Sequence, residues 1–218
     1  MRLPLSDYKT IIFDCDGVVL NSNKVKTKAF YEAALPFGEE AANELVTYHV
    51  LNGGISRYKK FDYFLDEIVK KKSDTALQEL LDVYAQQVRV GLLSCEVTPG
   101  LSTLRQLTSG VRWLIVSGGD QVELREIFSE RRLDLLFDGG IYGSPDIKEI
   151  ILSREIMQKN IKQPAIFIGD SKYDYAAARS ASIDFLFVSD WTEVVHWQRW
   201  VKENNISHRG SIKDIFVE

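Results

Sequence analysis

Residues 9–17 read KTIIFDCDG, a short apolar run that ends in two carboxylates and a glycine. The run is rich in β-branched residues and is typical of a buried strand. The Asp16-Gly17 pair breaks the pattern, as such pairs do in turns. The sequence therefore predicts a strand that delivers Asp14 to the edge of a sheet, with Asp16 in the loop that follows.

After residue 96 the chain alternates between strand and helix patterns. We predict strands at 111–116, 165–168 and 184–188, and helices at 99–109, 120–130, 146–159 and 173–181. Trp191, Trp197 and Trp200, with Val194 and Val195, favour a C-terminal helix over the sheet. Strands separated by helices indicate a parallel sheet with crossovers. The prediction is a doubly wound, Rossmann-like α/β core domain formed by residues 1–20 and 96–218.

Residues 21–95 have a helical period instead. Two apolar stripes are Phe61/Phe64/Leu65/Ile68/Val69 and Leu77/Leu80/Leu81/Tyr84/Val88, and two earlier stripes, Val25/Ala29/Phe30/Ala33 and Ala42/Leu45/Val46/His49, complete a predicted bundle of about four helices. The bundle interrupts the α/β pattern directly after its first strand. We therefore expect an all-helical cap domain inserted at 21–95.

Composition limits the classes of partner. The chain of 218 residues is 45% hydrophobic and has a net charge of -4, which excludes a disordered protein and leaves no basic field for nucleic acid or an anionic membrane. Its two cysteines, Cys15 and Cys95, and three histidines do not make a disulfide framework or a zinc site. Without a pattern for a signal peptide or a membrane span, we expect a cytoplasmic monomer or homodimer with a small-molecule partner.

Polar residues follow the predicted strands. Ligands of open α/β sheets bind beyond the carboxyl ends of the strands, where the sequence places Asp14, Ser117, Asp170 and Ser189. Each motif alone has a plain structural interpretation: a turn at Asp14, a helix cap at Ser117 or Asp174, a solvated lysine at Lys148. Their order along the chain carries more information than any one of them.

That order resembles the four motifs of haloacid dehalogenase-like phosphatases. Residues 13–18 look like the first motif, Ser117 the second, Lys148 the third, and 169–171 with Asp174 the fourth. The helical insert is similar to the C1 cap of the branch that contains β-phosphoglucomutase and phosphoglycolate phosphatase.

The resemblance implies catalytic roles that suit these residue types. Asp14 would be the nucleophile that forms an aspartyl-phosphate, and Asp16 would act as general acid and then base. Mg²⁺ would be held by the Asp14 carboxylate, the Asp16 main-chain carbonyl and Asp170, because it prefers hard oxygen ligands. Asp174 would orient Lys148 or a metal-bound water.

Substrate contacts are implied in the same way. Ser117, the Gly118 N–H and Lys148 would bind the phosphoryl oxygens. In the cap, Arg57 resembles an arginine that binds a second anionic group, and Lys26 lies where the phosphomutase has a histidine linked to cap closure. A role of Lys26 in attracting an acidic substrate is an alternative to a solvated helix lysine.

The expected function is a magnesium-dependent phosphatase acting on a small phosphorylated metabolite, a sugar phosphate or a phosphoglycolate-like ester. Two alternatives stay open: a sugar phosphomutase, which returns the phosphoryl group to the bound sugar, and a non-catalytic binding protein on the same fold.

Overall fold

The computed structural model describes residues 5–71 and 73–216. A six-stranded parallel sheet has the order β3-β2-β1-β4-β5-β6. Its strands are β1 (Thr10–Phe13), β2 (Arg112–Asp120), β3 (Ile141–Ser144), β4 (Ala165–Gly169), β5 (Asp184–Val188) and β6 (Ser207–Arg209). The predicted doubly wound α/β class is confirmed.

Helices flank the sheet and fill the segment after β1. They are α1 (Asn23–Ala34), α2 (Glu39–Leu51), α3 (Arg57–Tyr63), α4 (Asp74–Ser94), α5 (Leu101–Leu107), α6 (Gln121–Glu130), α7 (Lys148–Met157), α8 (Lys172–Ser180) and α9 (Trp197–Glu203). A π-helical turn, Phe64–Ile68, continues α3. No helix of the described residues is long and apolar enough to cross a membrane.

Strand β1 lies at the centre of the sheet. It pairs in parallel with β2 on one side and β4 on the other, and all four of its residues are buried. A strand covered on both faces needs apolar residues at every position, which explains its unbroken pattern. The first turn after β1 therefore begins beside the turns after β2 and β4.

Three parts of the core differ from the sequence prediction. Strands β3 and β6 were not predicted, because β3 is four residues long with a glycine inside and β6 reads Ser-His-Arg at the sheet edge. Strand β2 continues past Ser117 to Asp120, with a break in register after Val116, so Ser117 lies inside the strand rather than at its end.

The C-terminal helix is shorter than the sequence predicts. Helix α9 begins only at Trp197, after His196 in a left-handed conformation with φ of 56°. Trp191, Val194 and Val195 precede it in a loop, so the predicted helix is wrong for these residues. The loop runs past α1, where the Asn23 amide donates to the Trp191 carbonyl at 2.8 Å.

We call residues 21–95 the cap segment; its status as a separate domain stays a prediction. Its helices α1 to α4 pack around an aromatic cluster of Phe30, Phe61 and Tyr84, with ring centroids 4.4 to 5.7 Å apart. The chain enters and leaves it side by side: Asn21 N–H donates to the Glu96 carbonyl and Thr98 N–H to the Val19 carbonyl, both at 2.9 Å. These crossings fix the cap segment over the end of β1.

The aromatic cluster predicts that truncation of Phe61, which is fully buried, destabilises the cap segment. Phe61→Ala should lower the free energy of unfolding by about 3–5 kcal/mol, because it removes a ring and leaves a cavity. Leu51→Ala is the matched control: Leu51 is 73% exposed and its loss should cost under about 0.5 kcal/mol. Urea denaturation followed by circular dichroism measures both, and equal losses would contradict the packing described.

Candidate active site

Three buried carboxylates meet beyond β1 and β4. Oxygen atoms of Asp14, Asp170 and Asp174 all lie within 4.8 Å of one another. Asp14 follows β1 and Asp170 follows β4, and the two strands are paired in register up to Phe13 and Ile168. Parallel pairing therefore places their first loop residues together, as the sequence predicts.

Lys148 is the cation of this cluster. Its Nζ lies 3.0 Å from Asp14 Oδ1 and also contacts Asp174 Oδ1, and the side chain is 1% exposed. Burial alone would lower the pKa of Lys148, but Asp14 and Asp174 raise it above its ordinary value. The lysine is therefore a fixed positive charge beside Asp14, where it can bind an anionic group that approaches this carboxylate.

Asp174 is held in place by the start of α8. Its Oδ2 accepts hydrogen bonds from the Ser171 N–H at 3.1 Å and the Ser171 hydroxyl at 2.7 Å, and Asp174 N–H donates back to Ser171 Oγ. One carboxylate oxygen thus serves the helix cap and the other serves Lys148. Both roles predicted for Asp174, a member of the metal site and a residue that orients Lys148, stay predictions.

Asp16 is bound by two side chains of the cap segment. Ser22 Oγ donates to Asp16 Oδ1 at 2.6 Å, and Lys26 Nζ lies 2.5 Å from Oδ2. Burial would raise the pKa of Asp16, but Lys26 and the hydrogen bond from Ser22 lower it below its ordinary value. Asp16 is accordingly ionised in this arrangement, and Lys26, predicted as a substrate contact, has a carboxylate partner.

Gly17 lets the loop after β1 close on Asp170. Its φ is +72°, and a Cβ there would lie 2.1 Å from Asp170 Oδ2 and 2.5 Å from Asn23 Nδ2. Asn23 donates to the same Asp170 oxygen at 2.8 Å. Sequence reasoning gave Asn23 no role; its position in the polar stretch after the first motif is the signal that would have found it.

The end of β2 after Val116 approaches the cap segment with its backbone. Ser117 is fully buried, and its Oγ accepts from the Gly119 N–H at 3.0 Å. A Cβ on Gly118 would lie 2.0 Å from the Gly54 carbonyl oxygen, so a glycine is needed for this approach. The close contact shows that the cap segment is closed on the core.

Closure leaves a small cavity between core and cap segment. Its volume is about 60 Å³, and its polar lining comes from Asp14, Asp16, Asn23, Lys26, His49, Arg57, Lys60, Tyr84, Asp170, Ser171 and Glu193. Since one water occupies roughly 10–15 Å³ by this measure, the space corresponds to roughly four to six waters. Sequence reasoning missed Lys60, Tyr84 and Glu193 as lining groups and interpreted His49 only as packing.

Arg57 lines this cavity but is engaged elsewhere. Its Nη1 donates to Glu123 Oε2 at 3.1 Å, its Nη2 contacts Glu123 Oε1, and the guanidinium lies 4.6 Å from the centre of the Tyr84 ring. Glu123 belongs to α6, so the pair joins the cap segment to the core. The substrate-binding role of Arg57 stays a prediction, and the structure adds a partner that the sequence did not suggest.

The carboxylate cluster suits a hard divalent cation. Burial, followed by the charges of Asp174 and Asp14, raises the pKa of Asp170 well above its ordinary value. Burial likewise raises the pKa of Asp14, and Lys148 offsets only part of this effect. A cation bound by Asp14, Asp170 and the Asp16 carbonyl would relieve this repulsion with the oxygen ligands that Mg²⁺ prefers.

Comparison with known proteins defines the class. The chain matches the haloacid dehalogenase-like hydrolase family over residues 8–182, and it belongs to that family of enzymes. The predicted family and the prediction of a hydrolase are thus confirmed. No curated protein gives a significant sequence match.

Solved structures share the fold over nearly the whole chain. A "predicted phosphatase" from Clostridium acetobutylicum has a TM-score of 0.72 at 19% identity, covering 95% of this chain and 96% of its own. A hydrolase of family IA, variant 3, from Entamoeba histolytica has 0.71 at 14%, covering 95% and 97%. A "predicted phosphoglycolate phosphatase" from Haemophilus somnus has 0.63 at 18%, covering 83% and 85%. At identities of 14 to 19%, the similarity shows a shared fold.

The contact between Arg57 and Glu123 predicts energetic coupling across the closed junction. Arg57→Met and Glu123→Gln should each destabilise the protein, and a double-mutant cycle should give an interaction of about 0.5–3 kcal/mol, because both side chains are buried. Arg89 and Glu126 are the control, since this pair also joins the cap segment to α6 but is 41% and 56% exposed. Its coupling should be below about 1 kcal/mol by the same thermal or urea unfolding measurements. Equal coupling in the two cycles would contradict a specific role of the buried pair.

Proposed function

We propose that the chain is a magnesium-dependent phosphatase that hydrolyses a small phosphate monoester through an aspartyl-phosphate on Asp14. The observation that carries the proposal is the position of Asp14 in the closed cavity, with its Oδ1 3.0 Å from Lys148 Nζ and Asp16 lining the same cavity two residues further on. The proposed nucleophile and acid/base group thereby line one small cavity, and the proposed phosphate-binding cation contacts the nucleophile directly.

In the first step, a carboxylate oxygen of Asp14 attacks phosphorus while the bond from phosphorus to the alcohol oxygen breaks. Asp16, in its protonated form, gives its proton to the departing oxygen, so that a neutral alcohol leaves. Lys148 neutralises charge on the transferred oxygens, and Asp174 and Ser171 hold the lysine in place. Covalent transfer to Asp14 divides one difficult displacement into two easier ones.

In the second step, Asp16 is a carboxylate and removes a proton from water as the water oxygen attacks phosphorus. The bond between Asp14 and phosphorus breaks, which restores the Asp14 carboxylate and releases inorganic phosphate. The hydrogen bonds of Asp16 to Ser22 and Lys26 stabilise the ionised form that this step requires.

Mg²⁺, when bound, would neutralise phosphate charge so that a carboxylate can approach phosphorus. Asp14, Asp170 and the Asp16 carbonyl would hold it. Asn23 donates to Asp170 Oδ2 and would keep the other Asp170 oxygen directed at the ion.

Cavity size favours hydrolysis of a small ester over the phosphomutase alternative. A mutase must enclose a sugar with a second phosphate, whereas the closed cavity measures about 60 Å³. Two of the similar structures are named as phosphoglycolate phosphatases, which is in keeping with a small ester. Release of inorganic phosphate distinguishes the two reactions, since a mutase transfers the group back to the sugar.

The proposal predicts that wild-type protein releases phosphate from small monoesters with added Mg²⁺ and that chelation stops the reaction. Asp14→Asn should leave less than about 1% of the activity, because an amide is a poor nucleophile of nearly the same shape. Asp62→Asn, an identical change at an exposed position of α3, is the control and should keep full activity. Phosphate release from Asp14→Asn at a rate near that of wild type would refute the assignment.

Asp16→Asn tests the acid/base role separately. It should reduce kcat by roughly 10²- to 10⁴-fold for alkyl phosphates, whose leaving groups need a proton. For aryl phosphates the loss should be smaller, because a phenolate leaves without one. Equal losses for both esters would remove the role of proton donor while leaving Asp14 as nucleophile.

A further inference from the structure

Lys60 is a buried cation of the cavity without an acidic partner. Its side chain is 1% exposed and lines the same space as Asp14. The neighbouring cations Lys26 and Arg57 each form an ion pair, with Asp16 and Glu123. Lys60 forms none within residues 5–71 and 73–216; its Nζ contacts His49 Nδ1 at 2.7 Å.

Hydrogen bonding fixes which nitrogen of His49 faces Lys60. His49 Nε2 lies 3.2 Å from Thr27 Oγ1, and the Thr27 hydroxyl lies 3.1 Å from Glu193 Oε1. If the hydroxyl donates to Glu193, its oxygen accepts from Nε2–H, and Nδ1 is left as an acceptor for Lys60. Burial, and then the charge of Lys60, lower the pKa of His49 well below its ordinary value, in keeping with a neutral ring. His49 thus positions the ammonium and uses one of its three donors.

Tyr84 presents a second donor to the same cavity. The side chain is 2% exposed, and its ring packs on Phe30 with centroids 4.4 Å apart. Within the described residues its hydroxyl makes no hydrogen bond to another protein group. Tyr84 and Lys60 both line the cavity, so a bound anion can accept hydrogen bonds from both.

We propose that Lys60, positioned by His49 and assisted by Tyr84, binds a carboxylate at the far end of the phosphate monoester and so selects the substrate. The inference rests on the proposed function and names the substrate class of that site. Asp16 and Glu193 act on Lys60 only at longer range and neither forms an ion pair with it, so its ammonium can pair with a monoanion. A cavity of about 60 Å³ suits a carboxylate better than a second phosphate group. Arg57, to which the family resemblance gives this role, is engaged by Glu123.

Binding of a carboxylate would also favour the charged form of Lys60. Burial, followed by the charge of Lys26, lowers the pKa of Lys60 to about 7. A carboxylate beside Nζ would raise this pKa again, so binding and protonation of the lysine support each other.

The test compares two esters of the same length: ethyl phosphate, and the two-carbon phosphate whose second carbon is a carboxylate. Wild-type protein should prefer the carboxylate ester by at least about tenfold in kcat/KM. Lys60→Met should lower this preference by about ten- to a hundredfold, mainly through KM, as expected for a lost hydrogen bond to a charged group. Lys59→Met, the same change at the exposed neighbour on α3, should leave the preference within about twofold of wild type.

Tyr84→Phe keeps the packed ring and serves as a second variant if Lys60→Met folds poorly. It should reduce the preference for the carboxylate ester, but by less than Lys60→Met does. Lys60→Arg should retain part of the preference, because the charge remains. A wild-type protein that hydrolyses both esters equally, or a Lys60→Met variant that loses both in parallel, would overturn the assignment.

Binding to the Asp14→Asn protein, measured by calorimetry with the carboxylate ester, separates the two proposals. If the wild-type protein releases no phosphate from either ester, the phosphatase is refuted; binding of the carboxylate ester to Asp14→Asn that is lost in Asp14→Asn/Lys60→Met would then still support the Lys60 site. Unchanged binding would overturn the Lys60 site, whatever the activity.

Discussion

The buried contact of Lys148 with Asp14 and Asp174 is the constraint on which the site depends. Carboxylates removed from water are unfavourable unless a cation and hydrogen bonds replace the solvent. Parallel pairing of β1 with β4 brings Asp14 and Asp170 together, and the neighbouring helices α7 and α8 supply Lys148 and Asp174. The sheet therefore creates an excess of negative charge, and the adjoining helices only partly neutralise it.

That arrangement explains why the strongest sequence signals lay in the core. Strand β1 was predictable because a strand buried on both faces needs an unbroken apolar run, and Asp14 follows directly from its end. Strand β6, at the sheet edge and polar, carries no such signal. Ser117 was placed at a strand end because Gly118 and Gly119 look like a break, whereas the strand resumes pairing at Asp120.

The cap segment was predictable as helices but not as a set of contacts. Its stripes mark the buried faces, but the partners of those faces come from distant parts of the chain, as Glu123 does for Arg57 and Glu193 for Thr27. Lys60 is an instructive case. It lies four residues before Phe64 and so on the apolar face of its helix, where a lysine has to be explained. Its neighbour Lys59 has the same side chain and is exposed.

Charge pairing also couples the position of the cap segment to the chemistry of the core. The two groups that lower the pKa of Asp16, Lys26 and Ser22, both belong to the start of the cap segment. An acid/base residue has to change protonation state once in each half of a two-step hydrolysis. In the arrangement observed, Lys26 and Ser22 favour the carboxylate form of Asp16, which is the form that the second, hydrolytic step requires. The cap segment thus contributes to the chemistry of the core by supplying the groups that stabilise its base.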